Sequence, residues 1–519
     1  MKTIAFHNLG CKVNAYETDV MMQNLQKKGW KIVPFDGKAD VYVVNTCSVT
    51  NIADRKSRQM LHRAKKENPE AVVVAVGCYV ETGREAVEKD PAVDLAVGTG
   101  RKGSLAEILE DYLRERENSG SSGDFRTRED AGNSEDAGDS EDAGDSEDPG
   151  SAKTLDGRTF SNITDHPVYE EMTLEVPGRT RADIKIQDGC NQFCSYCIIP
   201  YARGRVRSRK PEDVLREVRA LAAEGVKEVV VTGIHIGSYG TDFRGVAYND
   251  TEGGNPDLQR LLHAIAEVPG IERIRLGSLE PRVMNEEFVA AIASEPKICP
   301  HFHLSLQSGC DSVLKRMNRH YTAEEFLETA KRLRRYYDRP ALTTDVIVGF
   351  PGETEEEFEE SLRFLETVNF YEIHVFKYSR RHGTAADRMP DQITEAVKEE
   401  RSHILQELTM KQARAFRESF RGEKESILAE EMHSYEEMRG RTQMAYGKDA
   451  GEDAGVQEKN GAEWIVGHTA RYIEAAVPAE GTKIWRGQVL TGIIGPAIPG
   501  TTVRLLKVFT NIADRIKMK

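Results

Sequence analysis

Three cysteines, Cys190, Cys194 and Cys197, stand in the stretch QDGCNQFCSYCIIPYARGRVRSR with no fourth cysteine or histidine close behind. The spacing narrows what this chain can fold into, because one loop must present three thiolates to one point. A structural zinc site closes with four ligands, commonly from two CxxC-like pairs, and this loop supplies only three. A trio leaves one coordination position open. An iron-sulfur cube held by these thiolates keeps one iron free of protein, ready for another ligand.

Length and cysteine usage set the context for that loop. At 519 residues and 39% hydrophobic content, the chain has material for about two to four domains. No run of about 18 apolar residues appears, and MKTIAFHNLGCKVNAYETD lacks the apolar block of a signal peptide, so a cytoplasmic protein with no membrane partner is expected. Eight cysteines are too few for a disulfide scaffold at this size; grouped cysteines then point to metal or catalysis. The formal charge of -14 argues against nucleic acid only at first sight. Residues 129–148, EDAGNSEDAGDSEDAGDSED, hold ten acids and no base, and without them the charge is -4. That repeat has no aromatic or branched aliphatic residue to bury, so a disordered linker is expected.

Apolar runs set the domain plan. KTIAFHNL, VYVVNT and AVVVAVG alternate with helical stretches such as ETDVMMQNLQKKGW, which predicts a small open parallel α/β domain over 1–117. Cys11, Cys47 and Cys78 each follow one of those runs. Carboxyl ends of parallel strands share one edge, where ligand sites form, so three thiols distant in sequence should converge there. An acidic linker and connector is expected over 118–174. From 175 to 415, six strand-like runs (DIKIQ, EVVVTG, RIRLGS, HFHLSLQ, LTTDVIVGF, EIHVFKY) alternate with helical patterns, predicting a partial (β/α)6 barrel with its cysteine trio after the first strand. The last segment, 416–510, reads as a small OB-like β-barrel with an inserted loop at about 440–461. The fold class is α/β multidomain.

The open iron of the 190–197 trio can chelate the amino and carboxylate groups of S-adenosylmethionine. An electron from a low-potential cube then cleaves the sulfonium carbon-sulfur bond and yields a primary alkyl radical. That chemistry belongs to the cofactor; the protein supplies binding, orientation and exclusion of water.

On the motifs LGCKVNAYET, VVNTCSVTNIADRKSRQ, AVGCYVE and CSYCIIPYARGRVRSR, the chain resembles the radical S-adenosylmethionine methylthiotransferases across all three predicted domains. Within them it is most similar to the subgroup modifying N6-threonylcarbamoyladenosine at position 37 of tRNA; members acting on isopentenyladenosine-37 or on a ribosomal-protein aspartate are similar but differ around these motifs. The resemblance implies two [4Fe-4S] clusters, an auxiliary one on Cys11, Cys47 and Cys78 and a S-adenosylmethionine-binding one on Cys190, Cys194 and Cys197. It also implies a C-terminal RNA-binding TRAM domain and a one-electron donor such as a flavodoxin or ferredoxin. One S-adenosylmethionine then methylates a sulfur on the auxiliary cluster, and a second provides the radical that takes hydrogen from C2 of the adenine, where the methylated sulfur joins.

Other strand-end groups are candidates for S-adenosylmethionine: Tyr196 in the loop, Thr232 and Gly233 in VVVTGIHIG, Ser278 and Glu280 in LGSLEP, Ser305 and Gln307 in HLSLQSG, and Asp345 in TDVIVGF. Each also suits helix capping. His235 and His303 are expected to pack within strands rather than act as ligands. Cys299 and Cys310 belong to no trio and are expected in the core. Arg203, Arg205, Arg207 and Arg209, just after the cysteine loop, are expected to meet phosphates of an anticodon loop, helped by the basic helix DRKSRQMLHRAKK.

Overall fold

The runs VYVVNT and VVVAVG are buried along their whole length, the signature of a parallel sheet covered on both faces. The computed structural model describes residues 2–118, 158–159, 168–176, 178, 180–246, 248, 253–434, 437, 463–479, 486–497 and 503–509. In it β1 (Thr3–Asn8), β2 (Lys31–Val33), β3 (Val41–Thr46), β4 (Val72–Gly77), β5 (Leu95–Val97) and β6 (Arg158–Thr159) form one parallel sheet in the order β2-β1-β3-β4-β5-β6. The three strands that the apolar runs do not reveal, β2, β5 and β6, are the short ones at the flanks. Register pairs Asn8 with Asn45 and Thr46 with Gly77, so the carboxyl ends of β1, β3 and β4 stand side by side.

Helix α2 (Asn51–Glu67) covers one face of this sheet, packing Leu61 and Ala64 on Tyr42, Val44, Val73 and Ala75. Helix α1 (Lys12–Lys27) covers the other, with Tyr16, Val20 and Leu25 against Val41, Val43 and Val74. That second core continues without a break into the next domain. Most of the linker expected over 118–174 lies outside the described residues; within that span β6 joins the first sheet, and residues 168–176 are pinned to α1, where Gln23 Oε1 accepts the amides of Glu175 (2.8 Å) and Val176 (2.9 Å). The acidic repeat at 129–148 lies outside the described residues.

The six expected strands of the central domain are β7 (Arg181–Asp188), β9 (Glu228–Gly233), β10 (Arg273–Leu276), β11 (His301–His303), β12 (Ala341–Val348) and β13 (Glu372–Lys377). All run parallel in chain order, with the seam between β10 and β11 bridged at Ile274–Ile298 and Leu279–Leu304. A two-residue strand, β8 (Arg207–Ser208), adds antiparallel to β7. Val229, Val231, Ile274 and Leu276 point outward into the core shared with the helices. The alternating positions Asp183, Val230 and Arg275 line the concave side.

A six-unit wall leaves its first and last strands unpaired with each other, and the N-terminal domain spans that gap. On the β7 side Glu17 of α1 meets Lys185 of β7. Beyond β13, Asn51 donates to Arg380 O (2.8 Å) and Asp54 pairs with Arg381 (2.6 Å). Helix Glu395–Glu418 then leads to β14 (Lys424–Ser434), β15 (Glu463–Thr469), β16 (Glu474–Pro478), β17 (Val489–Ala497) and β18 (Val503–Phe509), a closed barrel in the order β14-β15-β16-β18-β17. The inserted loop at about 440–461 lies outside the described residues. Arg273 and Arg275 at the start of β10 fasten this barrel to the central domain through the carbonyls of Ser426 (2.8 Å), His468 (3.1 Å) and Ala470 (3.0 Å). Among the described residues no helix is long and apolar enough to cross a membrane.

Candidate active site

Cys11, Cys47 and Cys78 follow the adjacent ends of β1, β3 and β4, and local chemistry brings their loops together. Asn14 Nδ2 donates to the carbonyls of Leu9 (2.7 Å) and Thr46 (3.0 Å), tying the Cys11 loop to the Cys47 loop. Gly10 has φ +100°, and a Cβ there would sit 2.9 Å from both Cβ and Sγ of Cys47, so only glycine allows this approach. Cys11 is the N-cap of α1, yet its side chain makes no capping bond; a residue type that caps poorly occupies a position where negative charge is favoured. Burial pushes the Cys47 thiol up to about 11 and raises that of Cys78. Without a metal these two thiols keep their protons, and loading must displace them.

Behind Cys78 lies a fully buried charge cluster. Glu17 accepts from Lys102 (2.5 Å), Lys185 (2.7 Å) and Arg203 (2.8 Å), while Asp188 pairs with Lys185 (2.6 Å) and Arg203 (3.1 Å). Three cations against two carboxylates leave positive charge in excess at a site where thiolates gather. Arg381, beside the Cys47 loop, donates to Ser48 Oγ (3.0 Å) and pairs with Asp54.

The second trio leaves the end of β7 in a loop shaped by Gly189. Its φ is +71°, and a Cβ would lie 1.8 Å from the carbonyl of Arg205, an overlap no rotamer relieves. Gly189→Ala is expected to dislodge Cys190 and to cut iron bound per chain by about half after anaerobic reconstitution, with the other trio still loaded. Gln192 N approaches Cys190 Sγ at 3.5 Å, and Arg319 Nη1 donates to Cys194 Sγ at 3.2 Å. Burial raises the Cys190 thiol and pushes Cys197 up to about 12.

Of the expected strand-end residues, Glu280 and Ser305 are tied to this loop through Arg319. Arg319 also pairs with Glu280 (2.6 Å), whose other oxygen lies 3.2 Å from His235 Nε2; burial pushes that carboxyl up, and Arg319 with the contact to the His235 ring outweighs it and holds it at about 2. Gly233 packs against Gln187, which leads toward the trio, and Thr232 is buried beside it. Gln307 adopts φ +73°, uncommon for its type, with its amide bonded to Asp345 O. Asp345 itself sits 3.2 Å from His303, and His374 stacks on that imidazole at 5.6 Å. Ser305 uses its carbonyl for Tyr321 (2.5 Å). Ser278 is exposed past β10, and the Tyr196 ring packs on Phe350 at 6.4 Å. His235 lies beyond the end of β9 rather than within a strand. Cys299 and Cys310 are buried, as expected of core cysteines.

The basic run departs from expectation. Arg203, Arg207 and Arg209 are buried: Arg203 on Glu17 and Asp188, Arg207 on the carbonyl of Arg203 (2.9 Å), Arg209 on Glu171 and Glu217. They are structural ion pairs, not phosphate contacts. Arg205 alone of the four is exposed, stacked over Phe193 at 4.4 Å. Sequence reasoning missed Glu17, Lys102, Lys185, Asp188, Arg319 and Arg381; Glu17 and Asp188 do stand beside cysteine motifs, but nothing local marks them as charge partners.

The two trios lie on either side of one short helix, Ile199–Arg203. Cys197 leads into it, and the guanidinium at its end lies beside Cys78. A cavity of about 440 Å³ opens on the concave side of the wall, between β7, β9 and β10 and the C-terminal barrel, lined by Lys12, Arg181, Asp183, Arg275, Glu430 and Tyr472, among others. Both trios suit a cube: three soft sulfur donors each, backbone room at a glycine, and cations close to the thiolates.

This wall of six parallel strands, carrying a CxxxCxxC loop after its first strand, defines a radical S-adenosylmethionine enzyme; residues 184–365 match the Radical SAM superfamily profile and residues 3–98 match "Uncharacterized protein family UPF0004". Threonylcarbamoyladenosine tRNA methylthiotransferase MtaB of Bacillus subtilis (strain 168) is 40% identical over 83% of this chain and 85% of its own. The protein of the same name from Aquifex aeolicus (strain VF5) is 39% identical over 81% and 90%. The tRNA-2-methylthio-N(6)-dimethylallyladenosine synthase of Ehrlichia canis (strain Jake) is 33% identical over 82% and 88%. The chain belongs to the radical S-adenosylmethionine methylthiotransferase family. [4Fe-4S] clusters and S-adenosylmethionine are its cofactors.

Proposed function

We propose that this protein adds a methylthio group to C2 of N6-threonylcarbamoyladenosine at position 37 of tRNA, in the cytoplasm, with a flavodoxin or ferredoxin as electron source. The observation that carries the reading is the pair of cysteine trios flanking the Ile199–Arg203 helix. Cys190, Cys194 and Cys197 hold the cluster that binds S-adenosylmethionine; Cys11, Cys47 and Cys78 hold the auxiliary one. When bound, these groups supply radical generation and sulfur.

The chain's own residues do the rest. Glu280, Thr232, Gly233, Ser278, Gln307 and Asp345 form the polar rim that orients S-adenosylmethionine, and Tyr196 contributes the loop's apolar side. The buried Glu17 cluster and Arg381 fix the auxiliary trio against the barrel opening, so that sulfur and radical meet at one base. The C-terminal barrel is an OB-like TRAM module that grips the anticodon arm. Arg205, with the exposed Arg55, Lys56, Arg58, Arg63 and Lys66 of α2, supplies phosphate contacts. An anticodon loop is single-stranded, so its base 37 enters without melting a duplex.

The test is anaerobic reconstitution, a count of about eight irons per chain, then turnover on tRNA carrying N6-threonylcarbamoyladenosine and nucleoside digestion. A 2-methylthio product on that base is expected. A product only on isopentenyladenosine would sink the assignment.

A further inference from the structure

The concave cavity contains a cation that the rest of the fold leaves uncommitted. Lys12 follows Cys11 and begins α1, and among the described residues its amine makes no hydrogen bond and no ion pair. The other cations of the cavity wall are engaged. Arg275 pairs with Glu228 at 3.0 Å and donates to two carbonyls of the C-terminal barrel. Arg181 pairs with Glu430 at 3.0 Å and lies over the Tyr472 ring at 5.0 Å, though its Nη1 still lacks a hydrogen-bond acceptor among the described residues. Asp183 and Glu228 act on the Lys12 amine from one side of the balance and Arg181 and Arg275 from the other, and Glu430, Glu431 and Arg486 complete the charged lining of the cavity. Lys12 is solvent-exposed yet hemmed in by this wall, so its amine stands in a recess rather than on a convex surface.

We propose that Lys12 is the specificity residue for the carboxylate of the substrate's N6-threonylcarbamoyl group, with Arg181 as its neighbour on the cavity wall. The inference rests on the reading above and deepens it. In adenine, C2 and the carbon bearing N6 flank the same ring nitrogen. A protein that delivers sulfur to C2 from the Cys11 trio must therefore accommodate the N6 substituent close by, and Lys12 is the adjacent residue. The cavity, about 440 Å³, has room for an amino-acid-sized group. Glu228 and Glu430 already serve Arg275 and Arg181, and an apolar N6 substituent would bring the Lys12 amine no further counter-charge, which selects against it.

Among the described residues the Lys12 amine makes no hydrogen bond or ion pair, so Lys12→Gln tests the idea without breaking a contact of the fold. Affinity of the reconstituted enzyme is measured for two tRNAs, one with N6-threonylcarbamoyladenosine at position 37 and one with plain adenosine. Wild type is expected to favour the first; Lys12→Gln is expected to weaken it by about ten- to a hundredfold, the worth of one charge-assisted hydrogen bond, and to leave the second unchanged. Lys12→Arg should restore most of the preference. An unchanged affinity for the modified tRNA overturns the proposal, and so does an equal loss on both tRNAs, which would make Lys12 a phosphate contact. A wild type that gives methylthio product on the modified tRNA while Lys12→Gln binds normally sinks Lys12 alone; a wild type that gives no such product sinks the reading beneath it.

Discussion

Cys11→Ala should leave reductive cleavage of S-adenosylmethionine running and stop methylthio transfer, whereas Cys194→Ala should stop both. The difference follows from where the two thiols sit. Cys194 accepts from Arg319, which also holds Glu280, so losing this sulfur removes a cluster ligand and loosens the carboxylate expected to orient the cofactor. Cys11 is an exposed N-cap that makes no capping bond, so truncating it costs the fold little. In one anaerobic assay, 5′-deoxyadenosine from Cys11→Ala should stay within about twofold of wild type, while Cys194→Ala falls below about 1%; methylthio nucleoside should vanish in both. Equal loss of 5′-deoxyadenosine in two variants shown by circular dichroism to be folded would contradict this division of labour.

The largest expected loss of stability comes from a residue with no part in the chemistry. Glu17→Gln removes the central carboxylate from three buried cations, leaving Lys185 and Arg203 with Asp188 and Lys102 with only the amide oxygens of Asn14 and Asn45. Breaking such a cluster from one side costs about 3–5 kcal/mol, because the stranded charges keep their desolvation penalty. Denaturant midpoint and slope read the effect, and adding Lys102→Met should recover part of it. Burial pushes the Glu17 carboxyl up, but Arg203, Lys102 and Lys185 outweigh it and hold it well below the ordinary value of 4.5. Its contribution is thus complete at neutral pH and is lost as pH falls below that ordinary value, so wild type should lose stability in acid more steeply than Glu17→Gln. Parallel pH profiles would refute the role given to this carboxylate.

What the chain disclosed in advance tracks how local each signal is. The 190–197 trio is a single loop, and its spacing alone announces three ligands. The trio at 11, 47 and 78 was legible through the strands, because parallel order puts carboxyl ends on one edge whatever the loop lengths. The six central strands could be read from apolar runs, while two- and three-residue strands such as β2 and β8 carry too little pattern. HFHLSLQ reads as one strand, yet only His301–His303 is regular, since Gln307 takes a left-handed conformation. The arginines misled for a physical reason. Their acidic partners arrive from distant segments: Glu17 stands 186 positions from Arg203, and Glu171 stands 38 from Arg209. Charge composition near a polyanion site cannot distinguish a solvated guanidinium from a buried one.

The pairing of β6 with β5 has a consequence for the acid-rich repeat. The described chain leaves the N-terminal domain after Asn118 and rejoins that domain's own sheet at Arg158, so the residues on both sides of the repeat belong to one body. The spacing between the two cysteine trios is therefore set by contacts such as Glu17 with Lys185 and Gln23 with residues 175–176, not by the number of residues between Asn118 and Arg158.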